Sequence, residues 1–182
     1  GIVVNTQGER FCNEQVYGAK LGHELVDHQN GRGWLIIDTQ LKWQAIRQCV
    51  FGSLWAFQSL PAIAMMMFGA KKANTVEALA AKLKTNPLTL KQHLETANAA
   101  ARGECEDPFG KSQDMRHDLS RGPYLALDIS IGNPTFPLAT LTLGGLNVDE
   151  NNGQVMHASG HAIEGLFAAG RTAVGLPSSR YV

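Results

Sequence analysis

Cysteine is scarce in this 182-residue chain and poorly placed for cross-linking. Cys12, Cys49 and Cys105 are odd in number and far apart, and no Cys-x-x-Cys pair occurs. That argues against a disulfide framework or a zinc site and for a reducing, cytoplasmic compartment. A surplus of charge is also missing, because 16 Lys and Arg balance 16 Asp and Glu. Zero formal charge points neither to a nucleic-acid partner nor to an anionic membrane surface. No apolar run is long enough to span a bilayer. The most apolar stretch, Leu54 to Phe68, is interrupted by Gln58 and Pro61. No signal peptide, internal repeat or low-complexity segment is visible. Polar, frayed ends are lacking too. The chain opens at Gly1 straight into Ile2-Val3-Val4 and stops at Tyr181-Val182, the pattern expected of cuts through folded structure.

What is present is an ordinary globular balance, 44% apolar and 18% charged, enough for one domain or two small ones. Ile2 to Asn5 reads as a buried strand, Thr6 to Glu9 as a turn, and Arg10 to Asn13 as its extended partner. Gly18, Gly22, Gly31 and Gly33 mark an irregular stretch. Trp34 to Asp38 is an apolar strand ending in an acid. Residues 40 to 70 read as helical. Thr75 is a helix cap ahead of Val76, Leu79, Ala80 and Leu83. Asn86-Pro87 starts another helix, with Leu90, Leu94 and Ala97 on one face and Gly103 at its close. Leu125 to Ile131 and Leu138 to Leu143 read as strands. Leu146 to Asp149 and Gln154 to Met156 flank the turn Asn151-Asn152-Gly153. Leu166 to Ala169 reads as a buried strand running into Gly170. Strand-rich ends therefore enclose a helical middle.

The local motifs are incomplete. Gly165 to Thr172 approaches a phosphate-binding loop, but Arg171 replaces the lysine and Leu166-Phe167-Ala168-Ala169 suits a strand. A glycine turn after a strand serves either a tight bend or a cofactor. His157 and His161 are four apart with no third ligand near, so they read as surface histidines and no metal is expected. Tyr17 and Tyr181 lie in irregular segments, where either packing or proton transfer is open to them. Met65-Met66-Met67 and Phe68 read as core or as a greasy substrate wall.

Several segments together resemble one family. Gly1-Ile2-Val3-Val4-Asn5, Gly8, Arg10-Phe11 and Asn13-Glu14 are similar to a stretch of the fumarate reductase and succinate dehydrogenase flavoproteins. Trp34 to Asp38, Asn74 to Ala80, Leu90 to Asn98, Gly103, Asp107 and Phe109-Gly110 follow in that family's order. Thr142-Leu143-Gly144-Gly145-Leu146 with Asp149, and Ile163 to Gly170, resemble its flavin-domain segments. Arg171, Gly175 and Ser178-Ser179-Arg180-Tyr181 look more like the ketosteroid dehydrogenase branch. Leu141, Thr142 and Leu143 stand where a fumarate reductase would carry its His.

The resemblance implies an α+β (α/β) fold: part of a Rossmann-like FAD-binding domain with an inserted substrate-capping domain. The expected boundaries are 1–19 for the flavin domain, 20–135 for the cap and 136–182 for the flavin domain again. It implies FAD as cofactor, near Gly144, Gly145, Ala169, Gly170 and Arg171. It implies Tyr17 and Tyr181 as a catalytic pair meeting across a cleft, with Arg180 close by. The implied reaction is α,β-dehydrogenation of a hydrophobic, bulky ketone such as a 3-ketosteroid, with hydride passing to flavin N5 and then to an external electron acceptor. The alternatives are a fumarate reductase-like flavoprotein or a non-catalytic cap and scaffold piece. The dinucleotide fingerprint Gly-x-Gly-x-x-Gly does not occur, and would lie upstream of Gly1. These residues alone are therefore expected to bind FAD poorly.

Overall fold

A computed structural model describes residues 1–16, 18–52, 56–133 and 145–173. It falls into two compact units, Gly1–Leu138 and Ala139–Val182. Helix and strand are mixed throughout, as the resemblance implies.

The first unit is built on a four-stranded antiparallel sheet. Its strands are β1 (Ile2–Val4), β2 (Trp34–Asp38), β3 (Lys71–Ala73) and β4 (Tyr124–Asp128), in the order β1-β2-β4-β3. Side chains alternate across a sheet with period two, and the core divides accordingly. Ile36, Tyr124 and Ala126 point to one face, and Ile37, Leu125 and Leu127 to the other. The first face is covered by α4 (Val76–Leu83) and α5 (Pro87–Ala101), through Leu79, Leu83, Leu90 and Leu94. The second is covered by α2 (Thr39–Phe51), α3 (Ala56–Ala64) and the π-helical turn Met65–Gly69 that continues α3. β1 falls in the segment 1–19 assigned above to the flavin domain, and it forms one edge of this sheet.

The helix limits follow their local chemistry. Thr75 Oγ1 accepts from the Ala78 N–H at 3.2 Å, and Asn86 Oδ1 accepts from the Leu88 N–H at 2.9 Å. Each satisfies an amide that the first turn leaves unpaired. At the end of α5, Glu104 N–H donates to Ala99 O and Gly103 N–H to Ala100 O. That double closure needs a left-handed residue, and Gly103 supplies it at φ +76°. The acid ending β2 has a helix to serve. Asp38 Oδ1 accepts from the Leu41 N–H at 2.7 Å and so caps α2, while its other oxygen meets His117 Nε2 at 3.1 Å.

Four expectations are corrected. The glycine-rich stretch is not irregular throughout, because Gly18–Gln29 forms helix α1. Leu25 is fully buried on it, and that burial outweighs the low propensity of Gly18 and Gly22. The chain breaks only afterwards, where Asn30 and Gly31 take left-handed backbones. The Ile2–Asn13 hairpin shrinks to β1 and a single bridge from Val4 to Arg10. β4 ends at Asp128 rather than Ile131. In the second unit, β6 (Ala162–Phe167) pairs with β5 (Gln154–Met156), but it is not buried: Leu166 is 43% and Phe167 62% exposed. The strand expected over Leu138 to Leu143 lies outside the described residues.

Leu90 is fully buried in the α4–α5 layer, so Leu90→Ala should lower unfolding free energy by about 2–5 kcal/mol. Urea denaturation followed by circular dichroism measures it. A loss below about 1 kcal/mol would mean that this layer collapses into the space.

Candidate functional site

Four charged side chains from two distant segments meet in the interior of the first unit. The Arg10 guanidinium straddles both acids. Its Nε donates to Glu14 Oε1 at 2.8 Å, Nη2 to Glu14 Oε2 at 2.9 Å and Nη1 to Asp107 Oδ2 at 2.6 Å. Lys111 Nζ adds a bond to Glu14 Oε2 at 3.2 Å and another to Gly1 O at 2.8 Å. The Val3 N–H also donates to Glu14 Oε1 at 2.9 Å. Asp107 Oδ1 takes the backbone N–H groups of Phe109 and Lys111. Two cations and two anions cancel, and nearly every lone pair has a donor. A buried ionic cluster is tolerated on those terms.

The cluster aligns with the resemblance, since Arg10 and Glu14 belong to its first motif and Asp107 to a later one. It joins β1, the loop after it and the loop after α5. Gln15 extends the clamp, its Oε1 accepting from both the N–H and Oγ of Ser112 at 2.9 Å. The backbone is thus fixed to within two residues of Tyr17 in sequence. Sequence reasoning quoted Arg10, Glu14 and Asp107 without pairing them and missed Lys111, Gln15 and Ser112. Arg10 and Asp107 are 97 positions apart, and nothing local links them.

Burial works against charge on Glu14. The hydrogen bonds from Arg10, the charges of Lys111 and Arg10 and the Val3 N–H outweigh it, holding the carboxyl below its usual range. Burial likewise opposes charge on Asp107, and Arg10 with the Lys111 and Phe109 amides again pulls it down. Nearby Cys12 goes the other way, its thiol pushed up to about 12 by burial and then by the Glu14 and Glu24 charges.

The expected cofactor segments lie in the second unit. Leu146 N–H donates to Thr172 O at 2.8 Å, and Leu146 forms a parallel bridge to Ala173. Gly145 is pressed against this contact, where an added Cβ would sit 2.5 Å from Thr172 O. Gly145 is therefore brought to the short 3-10 turn Gly170–Thr172, which also holds the backbone of Arg171. Ala169 is extended and exposed ahead of that turn. Gly170 is left-handed at φ +61°, with open space where a Cβ would project. Gly144, Tyr17 and Tyr181 lie outside the described residues.

His157 and His161 are exposed, as read from sequence. Their rings stack at 4.8 Å, and Ser159 Oγ lies within 2.9 Å of both Nδ1 atoms. Among the described residues no group of three or more potential metal ligands occurs.

Two outcomes follow from this geometry. Removing one partner of a buried ion pair strands the other, so Asp107→Ala should cost about 3–5 kcal/mol by urea denaturation. Both carboxyls are depressed in the fold, so their stabilisation is full above the unfolded value near 4 and is lost as pH falls through the folded values. Acid titration of the wild type should show this loss below about pH 4, with a smaller loss in Asp107→Ala. Separately, a thiol reagent at pH 8 should label exposed Cys105 and spare Cys12 until the chain unfolds. Rapid labelling of native Cys12, read by peptide mass, would contradict that burial.

A family described as FAD binding domain matches residues 1–178. The chain is 57% identical over 170 residues to the 3-oxo-5-alpha-steroid 4-dehydrogenase of Comamonas testosteroni, covering 93% of this chain and 32% of that protein. It is 27% identical over 175 residues to the fumarate reductase of Schizosaccharomyces pombe, covering 96% and 30%. The solved 3-ketosteroid-delta4-(5alpha)-dehydrogenase from Rhodococcus jostii RHA1, in complex with 4-androstene-3,17-dione, matches with a TM-score of 0.71 at 27% identity, over 100% of this chain and 34% of that one. The chain spans about a third of the length of these relatives.

Proposed function

Since the chain belongs to the FAD-binding domain family, we propose that it is part of a cytoplasmic flavin-dependent dehydrogenase that introduces a double bond into the A ring of a 3-oxo-steroid. The observation that carries this reading is the extent of the likeness to the Comamonas testosteroni steroid dehydrogenase. The names of that enzyme and of the Rhodococcus jostii enzyme point to the C4–C5 bond.

The residues present fit the cofactor. Gly145 closes on Thr172 without room for a side chain, and Gly170 leaves open space beside an exposed Ala169. Backbone at Gly144, Gly145, Ala169 and Gly170, with Arg171, would hold it. FAD, when bound, supplies the hydride acceptor at its N5. The protein's part is proton handling and positioning. A proton leaves C4, next to the ketone, while the C3 oxygen must be polarised. We assign these two tasks to Tyr17 and Tyr181. A tyrosine begins near pKa 10, so the base needs a neighbouring positive charge, and Arg180 is the residue next to Tyr181. The Arg10–Glu14–Asp107 cluster and the Gln15–Ser112 clamp fix the chain that leads into Tyr17.

The fumarate reductase reading fits less well. The His of that family is replaced by Leu141, Thr142 and Leu143.

The full-length protein should be yellow with bound flavin. It should oxidise a 3-oxo-5α-steroid in the presence of an artificial electron acceptor. Tyr181→Phe and Tyr17→Phe should each slow turnover by roughly 10²–10⁴-fold while the flavin absorbance persists. Unchanged turnover in either variant would remove that tyrosine from the chemistry. Faster turnover with fumarate than with steroid would overturn the substrate assignment.

A further inference from the structure

A cavity of about 280 Å³ opens where the α4–α5 layer meets the start of β4. Val76 and Leu94 give it an apolar lining, and Asn98, Ser120 and Tyr124 give it polar groups. Leu94, Asn98 and Arg102 are spaced i, i+4 and i+8, so α5 presents one stripe to it. Asn98 is 5% exposed and Tyr124 6%, yet each keeps a donor unspent. Asn98 Oδ1 accepts from the Leu119 N–H at 2.7 Å, but its Nδ2 makes no hydrogen bond with a described residue. Neither does the Tyr124 hydroxyl. Neither atom is sealed inside the fold, and both residues line the cavity. Polar groups on residues this buried are ordinarily satisfied, so a free amide and a free hydroxyl on one wall mark a place for an acceptor.

Charge narrows the ligand. The two cations at the rim are already engaged. Lys91 Nζ lies 3.8 Å from Glu77, and Arg102 meets Glu104 at 2.6 Å and Asp118 at 3.5 Å. Glu95 adds an acid to the same rim. Burial raises the Tyr124 phenol, and the charges of Glu77, Asp38 and Asp118 raise it further, so it stays a protonated donor. A carboxylate would enter this acidic surround without a free cation to meet it. An ammonium would face the Asn98 NH₂ group, which can only donate. An uncharged carbonyl oxygen meets neither obstacle.

We propose that this cavity binds a small uncharged ring compound through its carbonyl oxygen. Asn98 Nδ2 and the Tyr124 hydroxyl donate to that oxygen, and the ring packs against Val76 and Leu94. The inference does not depend on the reaction proposed above.

Calorimetric titration of the full-length protein with benzamide, benzoate and benzylammonium tests it, since the three probes share a ring and differ in charge. Benzamide should bind with a Kd on the order of 1 mM or tighter, ahead of both ions. Tyr124→Phe should weaken it about three- to tenfold, the worth of one hydrogen bond. Asn98→Asp keeps the acceptor for the Leu119 N–H and replaces the free donor with an anion, so it should remove binding. Arg102→Gln should leave benzamide affinity unchanged. Saturating benzamide should also slow thiol labelling of Ser120→Cys, read by peptide mass, and leave exposed Cys105 unchanged. Circular dichroism checks folding, and Tyr124→Phe keeps the ring, so the test survives an Asn98→Asp variant that does not fold. Absence of benzamide binding leaves the cavity to water or to the rest of the chain and overturns the proposal. So does binding indifferent to Tyr124→Phe, or tighter binding of benzoate that Arg102→Gln removes.

Discussion

A guanidinium held between two carboxylates governs how the first unit is joined. Arg10 uses three N–H groups on Glu14 and Asp107, and its Cζ lies 5.0 Å from the Phe109 ring centre. Lysine would offer a point charge in place of that fork and would leave one acid short of a donor. β1 has only three residues and sits at a sheet edge, a weak anchor by itself. Glu14 reaches back to the Val3 amide, so the ionic cluster and the edge strand hold each other. The Gln15–Ser112 hydrogen bonds add a second, neutral tie between the loop after α5 and the start of the chain.

The sheet distributes the two roles of the unit between its faces. One face meets α4 and α5, whose caps are well formed and whose Leu79, Leu83, Leu90 and Leu94 turn inward. The opposite face meets a layer that has apolar side chains to spare. The first arrangement is a closed core. The second leaves apolar side chains at the surface. β4 lies between β2 and β3 and supplies alternate residues to both.

What could be read in advance was what short-range chemistry determines. Thr75 and Asn86-Pro87 announce helix starts because a side-chain oxygen satisfies amides two or three residues on. Trp34 to Asp38 announces a strand because it is a continuous apolar run. Helix α1 was hidden because Gly18 and Gly22 argue against helix locally, while Leu25 settles the matter through burial among distant residues. The exposure of β6 was hidden for the matching reason: an apolar strand says that it can be covered, not what covers it. At the candidate site, Gly170 was legible as a glycine turn and Gly145 through the family resemblance, and the structure brings Gly145 against Thr172. The Arg10–Asp107 pairing was not legible, since no periodicity spans 97 residues.

The strand order carries a consequence for synthesis on the ribosome. β2 ends at Asp38 and its neighbour β4 begins at Tyr124, so 86 residues (124 minus 38) must be translated before the two can pair. At about 5–20 residues per second, that is a wait of roughly 4–17 s. Throughout it, β2 has only β1 beside it, and its other edge and the apolar side chains of Leu35 and Ile37 lack their β4 partners. The nascent chain therefore spends seconds with an adhesive half-sheet before β4 closes it from the centre.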